Sequence, residues 1–274
     1  MGPGVFVTTQ PQTARFDVLL VGHLDTVFPA GTVAERPMSR DENRLYGPGV
    51  ADMKSGLLNI LWAMRTLPAE HRQRLAIAVA MNPDEETGSV HSHRWICELA
   101  KRSNCVLVCE AARADGSLVN ARKGMAGFHL EFTGVAAHAG NEPEKARAEL
   151  DVRFWENAEY DRIHQALIAL CEKGFLDGVS TTLTRVHHKP AMAASDATRA
   201  LMQQVEQAGK EEGIPVTWQA VGGGSDANHT AALGIPTLDG LGPVGAGFHS
   251  PTEWLDIASI EPRIRLLRRV ISML

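Results

Sequence analysis

No run of about 18 consecutive apolar residues occurs in the chain, which removes a membrane-spanning helix from the readings. Lysine and arginine form no block either, and a formal charge of -5 gives no basic footprint for nucleic acid or an anionic membrane surface. Met1 to Gln10 lacks the basic start and apolar stretch of a secretory signal, so a cytoplasmic protein is expected. Internal repeats and low-complexity tracts are missing as well. The four cysteines, Cys97, Cys105, Cys109 and Cys171, make no close C-x-x-C pair, and a chain of this size needs no disulfide staples. Cys105 and Cys109 flank an apolar run, so they are expected to be buried thiols without a metal role. What is present is ordinary for a soluble globular protein, 44% hydrophobic and 22% charged. At 274 residues the chain can bury a large core in one or two domains.

Asp17 to Gly22 is a short apolar run closed by glycine, the pattern of a strand buried on both faces. From Ser55 to Leu67 the residues Leu57, Leu58, Leu61, Trp62 and Met64 recur at helical spacing until Pro68. A strand over Leu75 to Met81, a helix over Ser89 to Lys101 and a strand over Cys105 to Cys109 follow. This alternation predicts a mostly parallel sheet with flanking helices, an α/β fold. The middle changes character, because Gly127 to Gly134 and Ala148 to Phe154 alternate apolar with polar as half-exposed antiparallel strands do. With a helix near Tyr160 to Glu172 and a strand near Thr181 to Val186 they form a small inserted α+β unit. The expected division is 1–116 and 184–274 for the main domain and 117–183 for the insert. After it come a helix over Asp196 to Glu212, strands at Val216 to Gln219 and Ile235 to Leu238, and a last amphipathic helix from Ile257 to Leu274.

Five metal-ligating side chains, His23, Asp52, Glu86, Glu110 and His249, fall at the ends of expected strands or just beyond them. In an open parallel sheet the carboxyl ends of the strands form the ligand crevice, so residues far apart in sequence can converge there. Two imidazoles and three carboxylates suit a pair of zinc ions, or cobalt or manganese in their place, with Asp52 as the natural bridge. Asp25, two residues after His23, is spaced to hold that ring or its loop and fix the tautomer. In Asp84-Glu85-Glu86 adjacent side chains point in different directions, so Glu86 can bind metal while Glu85 faces the water. Glu85 is therefore the expected general base and acid, taking a proton from a metal-bridging water and passing it to the leaving nitrogen. The bland reading, a surface or satisfied core residue, is applied to His91, His93, His129, His187, His188 and His229.

His-Leu-Asp-Thr-Val at 23–27, Tyr-Gly-Pro-Gly-Val-Ala-Asp-Met-Lys-Ser-Gly at 46–56, Asp-Glu-Glu-Thr-Gly-Ser at 84–89, Cys-Glu at 109–110 and Phe-His-Ser-Pro-Thr-Glu at 248–253 carry a further signal. Their order resembles that of the co-catalytic zinc peptidases that include glutamate carboxypeptidase, acetylornithine deacetylase, succinyl-diaminopimelate desuccinylase and aminoacylase. The resemblance implies a zinc-peptidase (phosphorylase/hydrolase-like) α/β domain with an inserted lid used for homodimerisation. It implies that His138, in Ala-His-Ala-Gly, reaches a partner's active site and stabilises the oxyanion. It also implies that Arg153, in Asp-Val-Arg-Phe, holds the substrate's free carboxylate. Gly222, Gly223, Gly224 and Asn228 look like the substrate-side glycine loop of the family.

Two departures stand out. Relatives place several dozen more residues between the His-Ala-Gly motif and the Asp-Val-Arg strand, so the lid reads as truncated near 145–147, either shortened or missing a segment. Only 22 residues precede His23, where the family usually has a strand and helix region. The expected activity is hydrolysis of an amide bond next to a free carboxylate, as in a C-terminal glutamate-type peptide, with an N-acyl amino acid as the other substrate. A catalytically silent metal- or peptide-binding protein is the rival from another class, and an intact Glu85 speaks against it.

Overall fold

The central sheet runs in the order Val5–Thr8, Ile77–Asn82, Phe16–His23, Ser103–Val108, Thr237–Leu238. In the computed structural model, which describes residues 2–134, 145–174 and 177–274, Phe16–His23 pairs parallel with both neighbours. Thr237–Leu238 is parallel too, and only the edge strand Val5–Thr8 is antiparallel. Side chains alternate between two apolar layers. Val18, Leu20, Ile77, Val79 and Leu107 pack under the helices Ser55–Thr66, Asp196–Glu212 and Ile257–Met273. Leu19, Val21, Ala78, Ala80 and Val106 face Leu99 of His93–Lys101 and Ala227 of Asp226–Ala231. Burial on both faces is why the strands read as unbroken apolar runs. At roughly 1.5–3 kcal/mol for each fully buried aliphatic side chain, these layers hold the sheet rigid beneath the residues at its carboxyl edge.

The inserted unit is an antiparallel sheet with Gly124–Thr133 between Lys145–Phe154 and Ser180–Lys189. The helix Asn157–Lys173 covers one face through Phe128, Phe154 and Tyr160. The strands of this sheet lie between residues 124 and 189, and Leu118–Arg122 pairs in parallel with Trp218–Val221 in another sheet. Residues 146 and 147 lie opposite Phe132 and Glu131 in continuous register. His138 lies outside the described residues. Cys97, Cys105, Cys109 and Cys171 are free, with Cys105 and Cys109 buried. Among the described residues no helix is long and apolar enough to cross a membrane.

Candidate metal centre

His23 is the last residue of its strand, paired with Asn82 at the end of the next one, and both chains then turn at the same sheet edge. The His23 Nδ1 lies 3.0 Å from the Asp25 carbonyl oxygen and 3.4 Å from the Asp25 carboxylate. With a proton on Nδ1, Nε2 becomes the free lone pair, and it sits 3.1 Å from Asp52 Oδ1 and 3.4 Å from Glu110 Oε1. The Asp25 carboxylate also accepts from the backbone N–H of Glu85 at 3.2 Å and of Glu86 at 3.0 Å. One carboxylate therefore ties the imidazole to the glutamate loop. The second oxygen of Asp52 meets His249 Nε2 at 3.1 Å, and Glu86 Oε2 lies 3.2 Å from the same nitrogen. His23, Asp52 and Glu86 each offer a ligand atom within 4.8 Å of the other two.

Local sequence explains these placements. Glu253, 0% exposed, accepts from the N–H groups of Gly49, Ala51 and Asp52 at 2.8, 2.9 and 3.0 Å, fixing the turn that presents Asp52. A Cβ on Gly56 would lie 1.9 Å from the Cys109 carbonyl oxygen, so glycine there lets the helix after Asp52 close on the strand end that carries Glu110. His249 adopts a left-handed φ of 61°, a conformation costly for a non-glycine residue and characteristic of functional sites.

Electrostatics reveal what the cluster lacks. Burial, and then the Asp52 charge, push Glu86 up to about 8. Burial and Asp52 push Glu110 up to about 7 even though His23 opposes the shift. Burial alone would lower His23, but the Glu110 charge and hydrogen bonds that the ring donates to Asp25, Asp52 and Glu110 raise it well above its ordinary value. Burial disfavours the Asp52 carboxylate too, yet His23 and His249 outweigh it and hold Asp52 low. Acids crowded this closely repel until a cation or protons intervene. A nitrogen and oxygen donor set with one carboxylate between two imidazoles fits a pair of borderline divalent ions.

The cleft at this cluster is lined by Asp52, Glu85, Glu86, Glu110 and His249 together with Arg113, Arg122, Gly223, Gly224, Ser225 and Phe248. Glu85 bonds Lys189 Nζ through Oε1 at 2.5 Å. Burial would lower the Lys189 pKa, but the charges of Glu85 and Asp226 raise it. Arg153 is outside this lining, its Nε and Nη2 bonded to Asp151 at 2.8 and 2.9 Å and its Nη1 reaching the Gly222 carbonyl at 3.4 Å. Asn228 is not brought to the cleft. Its Oδ1 accepts from Ser225 N and its Nδ2 donates to the carbonyls of Lys123 and Pro190, so every polar atom of the buried amide is spent on structure. None of the six histidines given the bland reading lines the cleft. Sequence reasoning missed Glu253, Lys189, Arg113 and Arg122. Only Glu253 had a signal, its place in the same short segment as His249.

Residues 19–273 match the model of Peptidase family M20/M25/M40. Carboxypeptidase G2 of Pseudomonas sp. (strain RS-16) is 28% identical, over 93% of this chain and 73% of its own length. Succinyl-diaminopimelate desuccinylase of Verminephrobacter eiseniae is 26% identical, over 96% of this chain and 80% of its own. Among solved structures, the YXEP protein of Bacillus subtilis, described as a dinuclear metal-binding peptidase of the M20 family, superposes with a TM-score of 0.71 at 13% identity, covering 98% of this chain and 84% of that one.

Proposed function

Because this chain belongs to Peptidase family M20/M25/M40, we propose that it is a metal-dependent hydrolase cleaving an amide bond beside a free carboxylate, in the manner of a glutamate carboxypeptidase. The observation that carries this reading is the position of Glu85. It lines the same cleft as the candidate ligands and keeps Oε2 without a partner among the described residues. His23, Asp52 and Glu110 would hold one zinc ion, and His249, Asp52 and Glu86 a second, with cobalt or manganese accepting the same donors. Bound there, the pair would supply Lewis acidity to the amide carbonyl and to a water.

The chain's own residues supply the rest. Glu85 Oε2 takes a proton from the water as its oxygen bonds to the carbonyl carbon, and returns that proton to the nitrogen as the C–N bond breaks. Lys189 fixes the carboxylate by its other oxygen. Arg153 is assigned the substrate's free carboxylate, which would displace the exposed Asp151 from the guanidinium fork. The backbone of Gly223 and Gly224 bounds the cleft. His138 of a second copy is assigned to the oxyanion, which makes a homodimer the working unit. The desuccinylase relative supports a second reading, deacylation of an N-acyl amino acid.

A zinc- or cobalt-loaded preparation is expected to release glutamate from N-acyl or peptidyl glutamates. Glu85→Gln should lower kcat by about 100-fold or more while metal content stays the same. Equal slow release by both proteins would point to a binding protein and sink the enzyme reading.

A further inference from the structure

Beside the acids, the lining of the cleft includes two guanidinium groups that are differently engaged. Arg122 is 4% exposed and ion-paired, its Nε donating to Asp239 Oδ2 at 2.8 Å and its Nη1 to the Gly223 carbonyl at 2.9 Å. It is neutralised and holds the glycine loop in place. Arg113 is not neutralised. Its Nη2 donates to the Ala111 carbonyl at 3.0 Å, and the guanidinium lies over the Phe248 ring with 5.0 Å to the centroid. Among the described residues it has no ion-pair partner, and its Nε is buried without any hydrogen-bond acceptor. Buried donors are as a rule satisfied, and the same guanidinium belongs to a residue that lines the cleft, so its missing acceptor points to a group that arrives from outside. Burial and then the like charge of Arg122 lower the Arg113 pKa, the mark of a cation with too little compensation. The charges of Asp239, Glu110 and Asp52 oppose that shift, and cations held by Glu110 and Asp52 would leave Arg113 still less compensated.

The cleft measures about 150 Å³, below the ~300 Å³ where ordinary ligand pockets begin, so what reaches Arg113 is one small group of a substrate. Resting on the hydrolase reading above, we propose that Arg113 is a specificity-determining residue that binds a carboxylate on the substrate other than the one assigned to Arg153. The substrate class is then an amide bearing two acid groups. The second acid sits either on the side chain of the released amino acid or on the acyl group, and guanidinium recognition is the same for both.

Two substrate pairs separate these sources: N-acetyl-glutamate against N-acetyl-glutamine, and N-succinyl-leucine against N-butyryl-leucine. The metal-loaded protein should prefer the acidic member of one pair by about 10- to 100-fold in kcat/KM, the worth of a charged hydrogen bond. In Arg113→Met that ratio should collapse toward one, because the acidic substrate loses more than the neutral one. In Arg113→Lys, which keeps the charge but not the fork, it should fall only partway, and this variant decides the matter if the methionine variant does not fold. Ratios near one in both pairs, or a preference unchanged in both variants, overturn the proposal. If no substrate turns over, the hydrolase reading fails while Arg113 is still judged by calorimetry. Glutarate should bind the metal-loaded protein about tenfold or more tighter than butyrate, and equal binding, or an advantage that survives Arg113→Met, overturns the assignment.

Discussion

Stripping the metals and raising the pH should destabilise this protein, and the acids at the sheet edge give the size of the effect. Glu110 rises from 4.5 to about 7 and Glu86 from 4.5 to about 8 on burial among like charges. A carboxyl whose folded value is raised stabilises the fold below its unfolded value and loses that contribution as the pH climbs through the folded one. His23, raised well above 6.5 by its acidic neighbours against the pull of burial, acts with the same sign at pH values above 6.5. At about 1.4 kcal/mol per pH unit, Glu110 alone removes about 3 kcal/mol from the metal-free fold by pH 8, and Glu86 adds to this with the same sign. For a chain of this length, 1 kcal/mol moves Tm by roughly 2–4 °C. Calorimetry in EDTA should therefore show Tm falling by at least about 5–10 °C between pH 5 and pH 8. With zinc the trend reverses, since the ion displaces those protons and its affinity grows with pH. The gap between loaded and stripped protein should widen steadily across the range. Zinc binding at pH 7 should release more than about one proton, read from titrations in two buffers of different ionisation enthalpy. Glu110→Gln should flatten the slope of the stripped protein. A stripped Tm that stays level or rises from pH 5 to pH 8 refutes the assignment of the repulsion to this cluster.

Glu253→Gln replaces a carboxylate that grips three N–H groups of the Asp52 turn. Metal affinity should weaken by about 10- to 100-fold in a competition titration with a chelator, because Glu253 meets Asp52 only at its backbone N–H and leaves the Asp52 carboxylate to the metal. Lys189→Met leaves Glu85 buried without its cation and should cost about 3–5 kcal/mol in chemical denaturation. Combining it with Glu85→Gln should recover much of that loss, and a strictly additive double variant would show that the pair is not coupled.

Much of the main domain was legible because two-sided burial writes itself as apolar runs. The helix expected over Asp196 to Glu212 has those bounds, with Ser195 capping it through the Thr198 N–H. The residues that gather at the sheet edge were visible because the apolar run ending at His23 and the one before Glu110 place polar groups just beyond strand ends. The edge strand Val5–Thr8 went unread because its side chains are largely exposed and only its backbone joins the sheet. Leu118–Arg122 has a partner about 100 residues away, and no local period announces it. Glu253 grips residues about 200 positions earlier, and Arg113 matters for an acceptor it lacks. Pairings of that kind depend on tertiary closure, which spacing along the chain does not encode.

The inserted unit does more than flank the cleft. Lys189 is the last residue of its strand Ser180–Lys189, and that lysine is the group bonded to Glu85 in the main domain. Arg153, on another strand of the same sheet, touches the glycine loop through Gly222. The insert therefore meets the cleft lining at the proposed base and at the glycine loop, and Asn228 fastens that loop's helix to the carbonyls on either side of the insert, at Lys123 and Pro190. A shift of the insert relative to the main sheet would carry Lys189 with it and turn the Glu85 carboxylate. The orientation of the base is in this way tied to the placement of the unit expected to close on substrate, so changes at the joints near 123 and 190 should act on kcat as much as on KM.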